Sequence, residues 1–337
     1  MAPRPRADAR GQRGVRGGGG LHDGQRGPST GRLATSDCAP GWVPSGSHSR
    51  GGRTPVNLLF TSSGRRIELL RAFRRAYADL GVDGNIVVTD IDPLAPTIRE
   101  ADRFHLVPPL SDPTYVEILS EIVRTEKIDL IVPLIDPDVP ILARNRKRLE
   151  QTGARVVVIP VGSVPFAVDK LLTHRLFTEI GVPAPRTWSP TERPPADVEF
   201  PLFIKPRFGS AGQDCVTVRN SRELEFFLDH VPDPIVQEHL PGAEITTDVL
   251  CDLEGGGKVL AAVSRRRIEV RQGEVAKGVT VLDRRIINHC VSVAHRLEAI
   301  GPITIQCILR DGTPHFTEIN ARFGGGVPLG IAAGVPS

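Results

Sequence analysis

The apolar and polar positions along the chain fall into two regimes. From Val56 onward, short apolar runs alternate with amphipathic stretches. Val56–Thr61 reads as a buried strand, Ser62-Ser63-Gly64 as a turn, and Arg65–Leu80 as an amphipathic helix. Asn85–Asp90 predicts a second strand, Pro113–Lys127 a helix capped by Asp112, Ile128–Pro133 another strand, Val139–Gln151 another helix and Arg155–Ile159 a closing strand. Strands alternating with helices predict a parallel sheet with right-handed crossovers, so residues 55–162 are expected to form a Rossmann-like α/β domain. Beyond Pro160 the pattern changes. A helix near Val168–Ile180 stops at Gly181 with Pro183 beyond it. A proline-rich stretch, 183–201, then leads into short strands with turn signals, so residues 163–337 are expected to be α+β.

Composition separates a third segment. The formal charge of +3 hides an asymmetry: residues 1–54 hold nine Arg, no Lys and three Asp, while the rest carries 33 basic and 36 acidic residues. The first 54 residues also hold 13 Gly and show no periodicity. They are expected to be a disordered Gly/Arg-rich leader, with an Arg-rich transit peptide or an RNA-binding arm as the other readings. The mildly acidic body needs no nucleic-acid partner. No apolar run approaches the roughly 18–20 residues of a membrane span, and no secretory signal opens the chain. Five cysteines lie far apart without a C-x-x-C, which argues against a zinc site or a disulfide framework and for a reduced, cytoplasmic protein. Only six lysines stand against 36 arginines, so a lysine here is more informative than usual.

Three segments carry candidate chemistry. Pro201–Gln213 is an apolar strand that ends in Lys205 and runs into a small-residue loop. Small residues let backbone N–H groups close on an anion, and the lysine adds a mobile charge. This is phosphate-binding logic without the G-K-[ST] of a P-loop; a glycine-rich hairpin with a solvated lysine is the competing reading. Ile235–Glu244 is a strand leaving into a connector with carboxylates at Glu238 and Glu244. Such a connector can wrap a purine, with a carboxylate for ribose hydroxyls, or be a charged loop in which His239 merely packs. Pro302–Arg322 predicts a β-hairpin turning at Asp311-Gly312. A three-residue loop, Asp311–Thr313, would set Gln306 opposite Glu318, while Glu318, Asn320 and Arg322 share one face. One carboxylate with amide oxygens suits Mg²⁺, which completes its shell with phosphates and water; a solvated polar strand face is the alternative. In the front domain, Gly64 and Asp90 are placed as in a dinucleotide fold, but Thr61–Arg66 lacks G-x-G-x-x-G. Asp90, Asp92 and Asp136 either cap helices or line a cleft.

Taken in order, Val168-Asp169-Lys170, Ile204-Lys205-Pro206 with its loop, Gln237-Glu238…Glu244 and Gln306…Glu318-Ile319-Asn320-Ala321-Arg322 resemble the ATP-grasp superfamily. The likeness is to the branch around the carbamoyl-phosphate synthase large subunit and the pyrrolysine-biosynthesis ligase, and it covers about Val56 to Val335. It implies an α/β fold in which a Rossmann-like pre-ATP-grasp domain (55–162) precedes an α+β ATP-grasp domain (163–337). It further implies that Lys170 and Lys205 contact ATP phosphates under a flap formed by Gly209, Ser210, Ala211 and Gly212. Glu238 and Leu240 would hold adenine and Glu244 the ribose. Gln306, Glu318 and Asn320 would bind Mg²⁺, with Mn²⁺ as a substitute, and Arg322 would face the transferred phosphate. Lys277 is a looser candidate for a phosphate or substrate contact. Arg265, Arg266 and Arg267 would bind an acidic substrate or form an exposed strand face.

The implied activity is ligation of a small-molecule carboxylate to an amine or other nucleophile through an acylphosphate, with no nucleic acid or membrane involved and a homodimer among the open assemblies. The flap is poorer in glycine than is usual for the family. The chain also ends 14 residues after Phe323, where members continue with closing helices, so a truncated C-terminus is expected. A non-catalytic nucleotide-binding module and an NAD-dependent oxidoreductase are the rival classes.

Overall fold

The structure, a computed structural model, describes residues 55–210, 212–271 and 274–334. The expectations for residues 1–54, for Ala211 and for the last three residues lie outside the described residues. β1 (Leu58–Thr61), α1 (Ile67–Leu80), β2 (Ile86–Asp90), β3 (Arg103–Leu106), α2 (Tyr115–Thr125), β4 (Leu130–Pro133), α3 (Asp138–Arg144), α4 (Arg146–Glu150) and β5 (Arg155–Val156) build the first half. The five strands are parallel, in the order β3-β2-β1-β4-β5. Every residue of β1 and β2 is buried, as expected of a sheet covered by helices on both faces. α1 ends on Gly81 at φ 59°, the left-handed cap that glycine supplies. The strand order reverses between β1 and β4, and the loops following these two strands sit at that switch point.

Two local expectations are corrected here. Asp112 does not cap α2. Its carboxylate turns back on the N and Oγ1 of Thr114 at 2.8 and 2.6 Å, and the helix starts only at Tyr115. The single helix expected over 139–151 is broken at Asn145, whose side-chain amide takes the carbonyl of Ile141 at 2.9 Å.

The second half opens with α5 (Val164–Val168) and α6 (Lys170–Glu179), split by Asp169 in an extended conformation. A four-stranded antiparallel sheet follows from β6 (Thr187–Trp188), β7 (Leu202–Pro206), β8 (Val216–Val218), α7 (Ser221–His230) and β9 (Pro234–Glu238), ordered β6-β9-β7-β8. β10 (Ala243–Cys251), β11 (Val259–Arg271), β12 (Glu274–Val281), α8 (Arg284–Arg296), β13 (Gly301–Arg310) and β14 (Thr313–Asn320) give a second antiparallel sheet, ordered β12-β11-β10-β13-β14, before α9 (Val327–Ala332).

Alternation decides the faces of this last sheet. Ile245, Val249, Ile303, Ile305, Cys307, Phe316 and Ile319 enter the core against Ile286, Cys290 and Val293 of α8. The opposite face is polar. Gln306 does pair with Glu318, but by another route than the one expected. Arg310 and Thr313 close a two-residue turn, Asp311-Gly312, with φ of 49° and 76°. A bulge then leaves Thr317 unpaired and restores the register. The α/β parallel-sheet domain followed by an α+β antiparallel domain is the architecture read from the sequence. Among the described residues no helix is long and apolar enough to cross a membrane.

Candidate functional site

A cleft of about 970 Å³ opens between the polar face of the second antiparallel sheet, β7 and its loop, the end of β9, and the carboxyl edge of the parallel sheet. Of the proposed site residues, Lys170, Lys205, Gly209, Ser210, Gly212, Glu238, Leu240, Glu244, Gln306, Glu318, Asn320 and Arg322 all line it. Lys277 does not. It lies exposed on β12 with its Nζ 2.8 Å from Glu269.

Lys205, next to last in β7, lies inside the protein, 6 % exposed. Burial pulls its pKa down to about 8, against the attraction of Glu318 and with the repulsion of Lys170. Burial also lowers the pKa of Lys170, and Glu318 again opposes it. Lys170 is placed by its neighbour Asp169, which caps α6 through the N–H groups of Leu171 and Leu172 at 3.0 and 3.3 Å and binds the Arg207 guanidinium at 2.8 and 2.6 Å. That pair fixes α6 to the loop after β7, and Lys170 Nζ donates to the Gly209 carbonyl at 2.7 Å. Two ammonium groups therefore converge beside one carboxylate, under a loop whose Gly209 and Gly212 have φ of 101° and 68°.

The register orders the polar sheet face in rows. Arg265, Thr246, Gln306 and Glu318 stand side by side across four strands. In the next row on that face Asp248, Thr304 and Asn320 are neighbours. Gln306, Glu318 and Asn320 thus form a compact set of oxygen donors. Among the described residues no group of three or more His, Cys, Asp or Glu side chains could hold a metal. One carboxylate with two amides suits a hard cation that takes its other ligands from phosphate and water, so the donor set fits Mg²⁺. Gln306 Oε1 also accepts a long bond, 3.4 Å, from Arg267.

The three consecutive arginines of β11 do not form an exposed face. Arg266 points out, but Arg265 is 2 % exposed and paired with Asp248, and Arg267 is paired with Glu244 at 2.9 Å. Glu238 is held too. Burial opposes its ionisation, but the Arg186 N–H and the Arg310 guanidinium, at 3.3 and 2.6 Å, outweigh it and keep the carboxyl below its usual range. An adenine at this connector would therefore meet backbone groups, with Leu240 as apolar cover.

At the far end, Arg322 Nη2 reaches Asp136 Oδ2 at 2.6 Å and Asn320 Oδ1 at 3.3 Å, while its buried Nε has no hydrogen-bond partner among the described residues. Asp136 lies on the loop after β4 and, with Arg65 and Arg66 after β1, brings the switch point of the parallel sheet into the cleft. Asp90 is committed locally: its carboxylate accepts from the N–H groups of Gly64 and Asp92 at 2.7 and 3.0 Å. Asp138, fully buried, accepts from the hydroxyls of Thr61 and Ser62 at 2.6 and 3.0 Å, and burial raises its pKa to about 6. Sequence reasoning did not find Arg66, or the buried Asp248–Arg265 pair on the cleft face. The signal for the pair was the alternation of Arg265 and Arg267 around Arg266, opposite a strand carrying Glu244 and Asp248.

Comparison with known proteins follows the same division. Residues 58–157 match the family model of a PylC-like N-terminal domain, and residues 167–326 match that of an ATP-grasp domain. Carbamoyl phosphate synthase large chains are relatives: that of Deinococcus radiodurans is 25 % identical over 276 residues (75 % of this chain, 26 % of the relative), and that of Thermus thermophilus is 24 % identical over 284 residues (77 % and 27 %). The chain spans about a quarter of their length. Solved structures of like fold include the biotin carboxylase domain of Hydrogenobacter thermophilus 2-oxoglutarate carboxylase in complex with MgADP (TM-score 0.63, 17 % identity, 84 % of this chain and 70 % of that one). Another is an L-amino acid ligase from Bacillus licheniformis (TM-score 0.62, 19 % identity, 82 % and 69 %).

Proposed function

The chain belongs to the ATP-grasp superfamily of ligases, and from that premise we propose that it joins a small-molecule carboxylate to an amine or other nucleophile at the expense of ATP. The observation that carries this reading is the convergence of Lys170 and Lys205 on Glu318, with Gln306 and Asn320 beside it and a glycine-containing loop above.

In this reading Lys170 and Lys205 bind the ATP phosphates, and binding satisfies an ammonium that burial otherwise penalises. Gln306, Glu318 and Asn320 hold Mg²⁺, or Mn²⁺ in its place, which when bound supplies positive charge against the phosphate oxygens. The loop at Gly209–Gly212, tied down by Lys170, closes over the phosphates and keeps water out. Glu238, Leu240 and Glu244 form the nucleoside end. The acid's carboxylate oxygen attacks the γ-phosphorus as ADP leaves, and Arg322 steadies the charge on the transferring group. The nucleophile then attacks the acyl carbon and inorganic phosphate departs.

Mg²⁺-dependent ADP release tests this, measured with a panel of small carboxylic acids in the presence of hydroxylamine to trap an activated acyl group. ADP and a hydroxamate should appear together with one class of acid. ATP binding without ADP release for any acid would make the chain a nucleotide-binding module. Calorimetric binding of NAD but not of ATP would make it an oxidoreductase.

A further inference from the structure

A second polar network lies on the cleft face itself, beside Gln306 and Asn320. Arg265 Nε and Nη2 donate to the two carboxylate oxygens of Asp248 at 2.8 and 3.3 Å. Thr304 Oγ1 lies 3.0 Å from Asp248 Oδ1 and 3.2 Å from the carbonyl oxygen of Arg322, and can donate to either. Arg265, Asp248 and Thr304 are all buried. The segment after β14, Arg322–Gly326, is pressed onto this network. A Cβ on Gly324 would sit 2.6 Å from Asp248 Oδ1, and one on Gly326 would sit 2.3 Å from Arg265 Cζ. Gly326 has φ −97°, which any residue adopts, so close approach rather than backbone freedom demands glycine there.

We propose that Arg265, oriented by Asp248, is the positioning residue that fixes the Arg322–Gly326 segment and so aims Arg322 at the phosphoryl group. The role of Arg322 is taken from the ligase reading above. Thr304 meets the backbone carbonyl of Arg322 on one side, while Asp136 holds its guanidinium on the other. Stability is a poor explanation for the pair. A buried ion pair can often be exchanged for packed apolar side chains at no loss. Among the described residues Arg265 Nη1 has no hydrogen-bond partner, which the most stable filling of that space would not leave. What the pair supplies is a fixed distance between β10, β11 and the glycine segment.

The test uses the double variant Arg265→Met/Asp248→Leu, the single variant Gly326→Ala, which keeps both ionic side chains but forces the Arg265 guanidinium and the segment apart, and Arg322→Ala as reference. Calorimetry with MgADP and with the β,γ-imido analogue of MgATP reads the preference for the third phosphate. The double variant should keep the melting temperature of the parent and bind MgADP within about twofold of it, as expected of changes away from the nucleotide's own contacts. It should lose the preference for the triphosphate to the level of Arg322→Ala, roughly tenfold, the scale of one charge-assisted contact. Gly326→Ala should lose it as well, and decides the matter should the double variant not fold. In turnover, both should lower kcat and raise the KM for ATP by about the factor lost in binding the triphosphate. A folded double variant, or Gly326→Ala, that keeps the full preference overturns the proposal. A parent that binds both nucleotides but never releases ADP would sink the ligase reading instead, and the binding preference would still report on Arg322.

Discussion

The two five-stranded sheets meet the same cleft in different ways. The parallel sheet offers its edge: Arg66 and Asp136 come from loops after β1 and β4, and their placement depends on turns such as the one at Ser62, held at φ 50°. The antiparallel sheet offers a face. There Arg265, Thr246, Gln306 and Glu318 are neighbours because the ladder makes them so, and the same ladder sends Ile245, Ile305 and Ile319 into the core. A face places side chains by register, and a register cannot shift by one residue without turning the core outward. An edge places them by loop geometry, which is freer. Chemistry that needs fixed distances belongs on the face, and recognition of a variable substrate belongs on the edge.

The largest expected effect is on the face. Glu318→Gln keeps the shape and hydrogen bonding of the side chain and removes the only charge among the three oxygen donors. ADP formation should fall by at least roughly a hundredfold, the scale of losing a charge-stabilising group, while circular dichroism stays unchanged. Raised Mg²⁺ should restore part of it. Full activity in a folded variant would place the metal elsewhere and erase the distinction between face and edge.

The same contrast explains what could be read from the chain. The period-2 pattern of β13 and β14 gave the Gln306–Glu318 pairing, even though the turn was read one residue too long, because the bulge at Thr317 restores the count. Continuous apolar runs likewise gave β1, β2 and β4. What was not legible depends on partners far away in sequence. Three consecutive arginines look solvent-exposed until Asp248 and Glu244 are known to stand opposite two of them. Arg322 meets Asp136 across 186 residues, a contact no local pattern encodes. Asp112 failed as a helix cap and Asn145 broke a helix read as continuous for one shared reason. A short polar side chain can bond several nearby backbone groups, and tertiary context selects among them.

Next in size is the buried lysine of the face. Lys205→Ala removes a desolvated charge and should weaken ATP binding by about 1.5–3 kcal/mol. Lys258→Ala is the control, because that side chain is exposed and its ammonium pairs with Asp252 at 3.3 Å. Equal dissociation constants for the two variants would remove Lys205 from the phosphate site.

Titration should set the two regions apart with opposite slopes. Asp138, behind the parallel edge, has its pKa raised to about 6, so the folded chain holds the extra proton between pH 4 and 6. Its contribution therefore favours folding at low pH and is lost as pH rises to 6. Lys205 has its pKa lowered to about 8, so above pH 8 the unfolded chain holds the extra proton and stability rises with pH. Melting temperature against pH for Asp138→Asn and Lys205→Met, each relative to the parent, checks both. The Asp138→Asn gain should grow from pH 4 to 6 and reach about 1–2 kcal/mol, since an amide replaces the bonds from Thr61 and Ser62 only in part. The Lys205→Met gain should be largest below pH 8 and fade above it. A gain from Asp138→Asn that does not change with pH would mean that this carboxyl titrates normally in the fold.

The smallest effect concerns a lysine on the same sheet that the register carries out of the cleft. Lys277 lies in a Gly-Glu-Val-Ala-Lys-Gly segment whose sequence suggests an anion contact, yet β12 pairs it with Glu269, and their side chains meet at 2.8 Å in an exposed position. Arg271 approaches the same carboxylate at 2.6 Å, so Glu269 keeps a cation when Lys277 is lost. A solvent-exposed pair of this kind contributes little, and the redundant partner leaves less still to lose. Lys277→Ala should therefore leave the melting temperature unchanged and the ATP dissociation constant within about twofold of the parent, at a protein concentration and salt where Lys205→Ala shows its full loss. A loss of ATP affinity that matched Lys205→Ala would mean that β12 swings its outer side chains over the bound nucleotide. The face would then extend one strand further than the register of the free protein allows, and β11 and β12 would have to move as a lid rather than stand as a wall.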